Sequence, residues 1–147
     1  MTDYKRIRYA VRDRIAEITM IREPVNAIDM VLAQEVVHAY GRVREDPGVR
    51  AVILTSGCRQ AFSAGMDLKM IRGKTGLDLR NFLEVLYFGM HDAQYRLGKP
   101  SIAAINGPAR AAGPIHSIRH RHKSYKQRQM RAQALCTKCS RPPSTPC

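Results

Sequence analysis

Two short blocks of this 147-residue chain hold the residues best suited to chemistry: AFSAGMDL at Ala61–Leu68 and KPSIAAINGPARAAG at Lys99–Gly113. Each is a buried-strand pattern running into a turn of small residues, an arrangement that leaves backbone N–H groups facing a ligand. Two such turns aimed at one point make an oxyanion hole, which stabilises negative charge developing on a carbonyl oxygen. Small residues are required where a ligand must lie against the main chain, which accounts for Ala64-Gly65 and for Ala111-Ala112-Gly113. Taken singly, each block fits plain close packing of strand on helix equally well.

The surrounding pattern supplies elements to position these turns. Ile7–Val11 and Ile15–Ile21 alternate apolar and polar residues around Arg12-Asp13-Arg14, which predicts a β-hairpin ended by Pro24. Asp29 is placed to cap a helix whose apolar positions Leu32, Val36, Val37 and Tyr40 recur at helical spacing. Asp46-Pro47-Gly48 closes that helix, and Val49–Thr55 reads as a strand covered on both faces. Leu77–Leu97 is expected to form one amphipathic helix with Leu79, Phe82, Leu83, Leu86 and Met90 inward and Gly98 as its stop. Ser101–Asn106 is a further short buried strand. Strands alternating with helices argue for right-handed crossovers and a largely parallel sheet, an α/β class.

Charge divides the chain unevenly. Residues 1–113 hold 17 Lys and Arg against 12 Asp and Glu, whereas residues 114–147 hold 8 basic residues and no acid. The sequence pI of 10.2 is therefore set mostly by the tail, and does not argue for nucleic-acid affinity of a folded domain. The opening MTDYKRIRYA lacks the apolar core of a secretory signal, and no apolar run is long enough to span a membrane. The expectation is a soluble cytoplasmic protein with reduced thiols.

Other candidate groups point less far. His38 and His91 fall on predicted helices without catalytic partners nearby, and Cys58, with only Arg59 beside it, reads as an ordinary thiol. In the tail, His116 and His120 followed by Cys136 and Cys139 give two ligand pairs of zinc-like spacing, though few apolar residues surround them. The basic run His116–Arg131 could attract nucleic acid through charge alone, in a salt-sensitive and non-specific way. A poorly ordered tail is expected, apart from a marginal helix over Tyr125–Leu135.

A third segment, REPVNAID at Arg22–Asp29, lies between the hairpin and the first helix. Together the three segments resemble the crotonase (enoyl-CoA hydratase/isomerase) superfamily, whose NRP-x-x-x-NAL stretch occupies the same place. The resemblance spans Arg22–Gly113 and implies a truncated crotonase-like ββα core over residues 1–113, followed by an irregular basic tail over residues 114–147. It places one oxyanion donor at the backbone N–H of Met66 and the second at Ala112. It implies CoA contacts at Val25, Ala27, Ala64, Asp67, Leu68 and Lys69. Lys69 either pairs with a CoA phosphate or is a solvated surface lysine. CoA enters as part of an acyl-CoA substrate, with no separate cofactor, no metal and no membrane partner implied.

The departures from the family are as informative as the match. A hydratase carries one catalytic glutamate three residues past the second donor, where this chain has Ile115. The second would follow about twenty residues later, yet no acid occurs after Asp92. Without a carboxylate pair there is no general acid and base to add water to a double bond. The resemblance thus implies a truncated form with little or no activity, lacking the C-terminal helices through which family members build trimers or hexamers. Shifting the reading frame by one nucleotide after Gly113 permits x-Ser-Ile-Ala-Phe-Ala-Thr-Asp-Ile, where x is unspecified, a family-like continuation. That frame does not restore the first glutamate, so an isomerase or another acyl-CoA subtype fits equally well. The alternative class is a non-catalytic basic protein whose tail binds nucleic acid or zinc.

Overall fold

The computed structural model describes residues 3–73, 75–110 and 122–125. Its first unit is the expected hairpin: β1 (Ile7–Arg12) pairs antiparallel with β2 (Ile15–Met20), with Ile7 opposite Met20 and Arg12 opposite Ile15. Asp13 and Arg14 turn the chain with positive φ of 49° and 65°, the left-handed pair that matches the twist of a tight hairpin. A short β3 (Ala27–Ile28) leads into α1 (Met30–Glu45). The cap is as the sequence indicates: the Asp29 carboxylate accepts the Leu32 N–H at 2.8 Å. Leu32, Ala33, Val36, Ala39, Tyr40 and Val43 form the buried stripe of α1, with Val37 half-buried beside it. At its far end the Lys99 ammonium donates to the carbonyls of Val43 and Asp46, a cation set where the helix dipole is negative.

Next come β4 (Ala51–Ser56) and the two-residue β5 (Gly65–Met66). After a 3-10 turn (Leu68–Met70) follow α2 (Gly76–Leu83), a π-helical turn (Glu84–Gly89), α3 (Met90–Tyr95) and β6 (Ser101–Ile105). The main sheet has the order β1-β2-β4-β6-β7, with β2, β4, β6 and β7 (His122–Tyr125) successively parallel. Its inner face, including Ala16, Ile18, Met20, Val52, Leu54, Ala103 and Ile105, is buried in one core with α1, Phe62, Phe82, Leu86 and Met90. At the entry to the sheet, the Glu35 carboxylate on α1 accepts the successive N–H groups of Lys5, Arg6 and Ile7 at 2.8, 2.7 and 3.2 Å. This joins β1 to α1 through a charge-assisted clamp.

Two expectations are corrected. The single helix over Leu77–Leu97 is interrupted by the π-helical turn, for a reason visible in the spacing. Phe82, Leu86, Met90 and Gln94 are all buried and lie four residues apart. An α-helix advances only about 3.6 residues per turn, so this stripe would drift about 40° per step off the core. One widened turn absorbs the drift and returns Met90 and Gln94 to the buried side. The second correction lies in the tail: His122–Ser124, expected to be poorly ordered, and Tyr125, expected to begin a marginal helix, form a strand that pairs with β6 from Ile102 opposite His122 to Ile105 opposite Tyr125. Backbone pairing to a strand edge needs no apolar alternation, so HKSY gives no signal for it. The rest of residues 126–147, including the remainder of the expected Tyr125–Leu135 helix, lies outside the described residues.

Gln94 carries an identifiable cost. It is 5% exposed, and neither atom of its side-chain amide has a hydrogen-bond partner. A buried amide without partners costs about 1–3 kcal/mol. Gln94→Met keeps the length of the side chain and removes that cost, so we expect the variant to be more stable by about 1–2 kcal/mol. Urea denaturation should show a higher midpoint at unchanged slope.

Candidate functional site

The two small-residue blocks meet along their backbones. The Phe62 and Ser63 N–H groups both donate to the Pro108 carbonyl, at 2.9 and 3.3 Å, and the Arg110 N–H donates back to the Ser63 carbonyl at 2.9 Å. Ser63 and Ala109 form an isolated parallel bridge. This lacing requires Gly107: a Cβ there would sit 2.7 Å from the Phe62 nitrogen and 2.8 Å from the Ala61 carbonyl carbon. No L side chain fits that approach without moving backbone. The blocks were expected to converge, and through Arg110 they do. Ala112, the second expected donor, lies outside the described residues.

The Ala61–Leu68 block is less strand-like than its sequence suggests. Only Gly65 and Met66 pair, with Ala27 and Ile28 opposite them in a two-stranded parallel sheet. Gly65 has φ of 87°, a conformation that L side chains avoid, and its N–H donates to the Ser63 hydroxyl at 3.1 Å. The Ser63 hydroxyl in turn donates to the Asn26 carbonyl at 2.8 Å. The Asp67 N–H donates to Ile28 at 3.0 Å.

Of the expected CoA contacts, Val25, Ala27, Ala64 and Asp67 lie together. The Ala64 N–H donates to the Val25 carbonyl at 2.9 Å, and Ala27 pairs with Gly65. Leu68 and Lys69 are exposed on the following turn. Asp67 has a structural task besides: one oxygen accepts the Lys69 N–H at 3.1 Å, and the other pairs with Arg22 at 2.6 Å. Arg22 also bonds Asp29 through Nε at 2.8 Å and the Ala27 carbonyl through Nη1 at 2.8 Å.

Asn26, fully buried with φ of 49°, went unnoticed as a functional residue in the sequence. Its amide nitrogen donates to the Met20 carbonyl, the Ser56 hydroxyl and the Phe62 carbonyl at 3.3, 2.8 and 3.1 Å. Its oxygen accepts the Arg22 N–H at 2.7 Å and the Cys58 thiol at 3.2 Å. Burial, with the Glu23 carboxylate nearby, pushes the Cys58 thiol pKa up and keeps it in the donor form. Cys58 is thus a member of the core network, in line with an ordinary thiol. The signal for Asn26 was its place in VNAID, since asparagine tolerates the left-handed region better than other non-glycine residues.

Elsewhere, His38 is exposed, and its Nδ1 lies 2.8 Å from the Tyr4 hydroxyl. An open, mainly apolar groove of about 520 Å³ runs along α2 and the π-helical turn, lined by Gly76, Leu79, Arg80, Leu83, Glu84 and Phe88. It shares no residue with the laced blocks. Among the described residues, no three metal-ligating side chains cluster, and no helix is long and apolar enough to cross a membrane. The proposed zinc pairs His116–His120 and Cys136–Cys139 lie outside the described residues, as does all of the basic run His116–Arg131 except His122–Tyr125.

Comparison with known proteins decides the family. The family model for enoyl-CoA hydratase/isomerase matches residues 11–117, a stretch containing all three segments named above. The chain belongs to the enoyl-CoA hydratase/isomerase family. It is 36% identical over 111 residues to the protein named "Probable enoyl-CoA hydratase" of Rhodobacter capsulatus, covering 75% of this chain and 42% of that one. It is 37% identical over 99 residues to the carnitinyl-CoA dehydratase of Citrobacter koseri, covering 67% and 37%. The crystal structure of the enoyl-CoA hydratase from Bacillus anthracis superposes with a TM-score of 0.75 at 28% identity, over 81% of this chain and 46% of that one. This enoyl-CoA hydratase/isomerase family member therefore has the crotonase fold, and it spans less than half the length of these relatives.

The lacing generates a direct test. Gly107→Ala forces the two blocks apart, and we expect a loss of about 2–3 kcal/mol in equilibrium unfolding. Asn26→Ala leaves several buried partners unpaired and should cost about 3–5 kcal/mol, read as a fall in denaturation midpoint.

Proposed function

We propose that this chain binds an acyl-CoA thioester and polarises its carbonyl between the backbone N–H groups of Met66 and Ala112, without hydrating a double bond. The observation that carries this reading is the lacing of the two blocks between Phe62–Ser63 and Pro108–Arg110. Each block then runs on, within a few residues, to one proposed donor. Met66 itself is held in register with Ile28, directly after the positive-φ Gly65, which supports the same reading.

Acyl-CoA chemistry of this kind passes through a thioester enolate, whose charge builds on the carbonyl oxygen. Donors fixed before the reaction need no reorganisation as that charge appears, and are worth several kcal/mol in a dry site. Val25, Ala27 and Ala64 line the approach with small or apolar groups, and Leu68 and Lys69 flank it from the exposed turn. The Asp67 carboxylate is occupied by Arg22 and by the Lys69 amide, so the contribution of Asp67 to CoA comes through its position in the backbone.

Proton transfer is the missing half of the chemistry. The first hydratase glutamate position holds Ile115, and residues 93–147 contain no acid. Asp92 itself is exposed on α3 and paired with Arg96 at 2.7 Å. In this reading a bound enoyl thioester meets donors for its oxygen, while neither family carboxylate position within residues 93–147 holds an acid to activate water.

Difference infrared spectroscopy with bound hexanoyl-CoA should show the thioester carbonyl stretch moved to lower frequency. Crotonyl-CoA should bind weakly, measurable by calorimetry, and hydrate no faster than in buffer. An unmoved carbonyl band in the bound complex would sink the oxyanion reading, and enzymatic hydration would sink the absence of acid–base chemistry.

A further inference from the structure

We propose that Arg22 is the positioning residue for the Met66 amide, setting through three bonds where that N–H points. The inference rests on the reading of Met66 as an oxyanion donor, and adds the residue that would hold it in place. The Arg22 side chain is only 20% exposed, and it bonds three separate elements. Nε grips Asp29, the cap of α1; Nη1 grips the Ala27 carbonyl in β3; Nη2 grips Asp67, the residue directly after Met66.

These anchors bracket the donor from both sides. Ala27 is the register partner of Gly65, the residue directly before Met66. Asp67 is further fixed by its N–H to Ile28 and by its second oxygen to the Lys69 N–H. The peptide carrying the Met66 N–H is therefore flanked by groups that answer to one guanidinium. A planar fork presents its donors at fixed angles to all three acceptors, which the single ammonium of lysine cannot do. Removing a guanidinium and two carboxylates from water offsets much of their attraction, so a partly buried triad of this kind adds little net stability. Its use here is to fix one register of β3, β5 and α1 relative to one another.

The test uses the full chain with Arg22→Gln, Arg22→Lys and Asp67→Asn. Hydrogen exchange over Ala64–Met70 in the unliganded protein reads the mechanical claim, with β4 peptides as the internal reference. We expect exchange there to rise about tenfold in Arg22→Gln and Asp67→Asn while β4 is unchanged, with Arg22→Lys intermediate. The infrared band of bound hexanoyl-CoA reads the chemical claim: its downshift should be lost in Arg22→Gln and partly restored in Arg22→Lys. Wild-type exchange over Ala64–Met70, or a full carbonyl shift in Arg22→Gln, overturns the proposal. If Arg22→Gln does not fold, Asp67→Asn decides by the same readouts, because it keeps the side-chain size and the acceptor for Lys69. A wild type with no carbonyl shift, alongside raised exchange in the variants, overturns the oxyanion reading and supports the loop-positioning role of Arg22.

Discussion

One buried amide ties together the parts on which the site depends. Asn26 joins the end of β2 at Met20, the end of β4 at Ser56, the first laced block at Phe62 and the thiol of Cys58. In a low-dielectric interior such a network rewards full pairing and penalises any partial version, so the strand ends it joins are held to one arrangement. Arg22, whose own N–H donates to Asn26, extends the same order outward to Asp29 and Asp67. The core network thus continues into the ionic one without a break. The Gly65–Asp67 stretch that carries the Met66 N–H lies at the end of that chain of constraints.

Much of this was legible in the sequence because it depended on local chemistry. The hairpin followed from alternation around Arg12-Asp13-Arg14, and the start of α1 followed from Asp29 before a periodic apolar stripe. The convergence of the two blocks was legible through their small residues, since only short side chains permit backbones to meet as Ser63 and Ala109 do. The roles of Arg22 and Asn26 were not legible, because each depends on partners distant in the chain. Nothing in REPVNAID alone says that its arginine meets an aspartate 45 positions away. The π-helical turn escaped for a different reason: a four-residue apolar spacing is close enough to helical to pass, and its accumulated drift shows only once the core fixes which side is inward.

The family relation and the chemistry carry different amounts of the chain. What the described residues share with their relatives is the fold, over less than half of the relatives' length. In the proposed reading, the first carboxylate for proton transfer would stand where this sequence holds Ile115, and no acid follows Asp92 within residues 93–147. In the proposed reading, carbonyl polarisation and proton transfer are separable on physical grounds, since one needs only N–H groups and the other needs titratable side chains.

The strand order β1-β2-β4-β6-β7 follows chain order throughout. Each strand of the main sheet docks beside its predecessor in that sheet, so a chain emerging from the ribosome could extend it at one growing edge, never inserting a strand between two already joined. Apart from the hairpin, every addition waits for an intervening segment to be made, which places closure of the sheet late and raises the entropic toll of each step. At every stage the newest strand is also the rawest edge, so a vectorial assembly of this kind is most exposed to wrong partners at its C-terminal front.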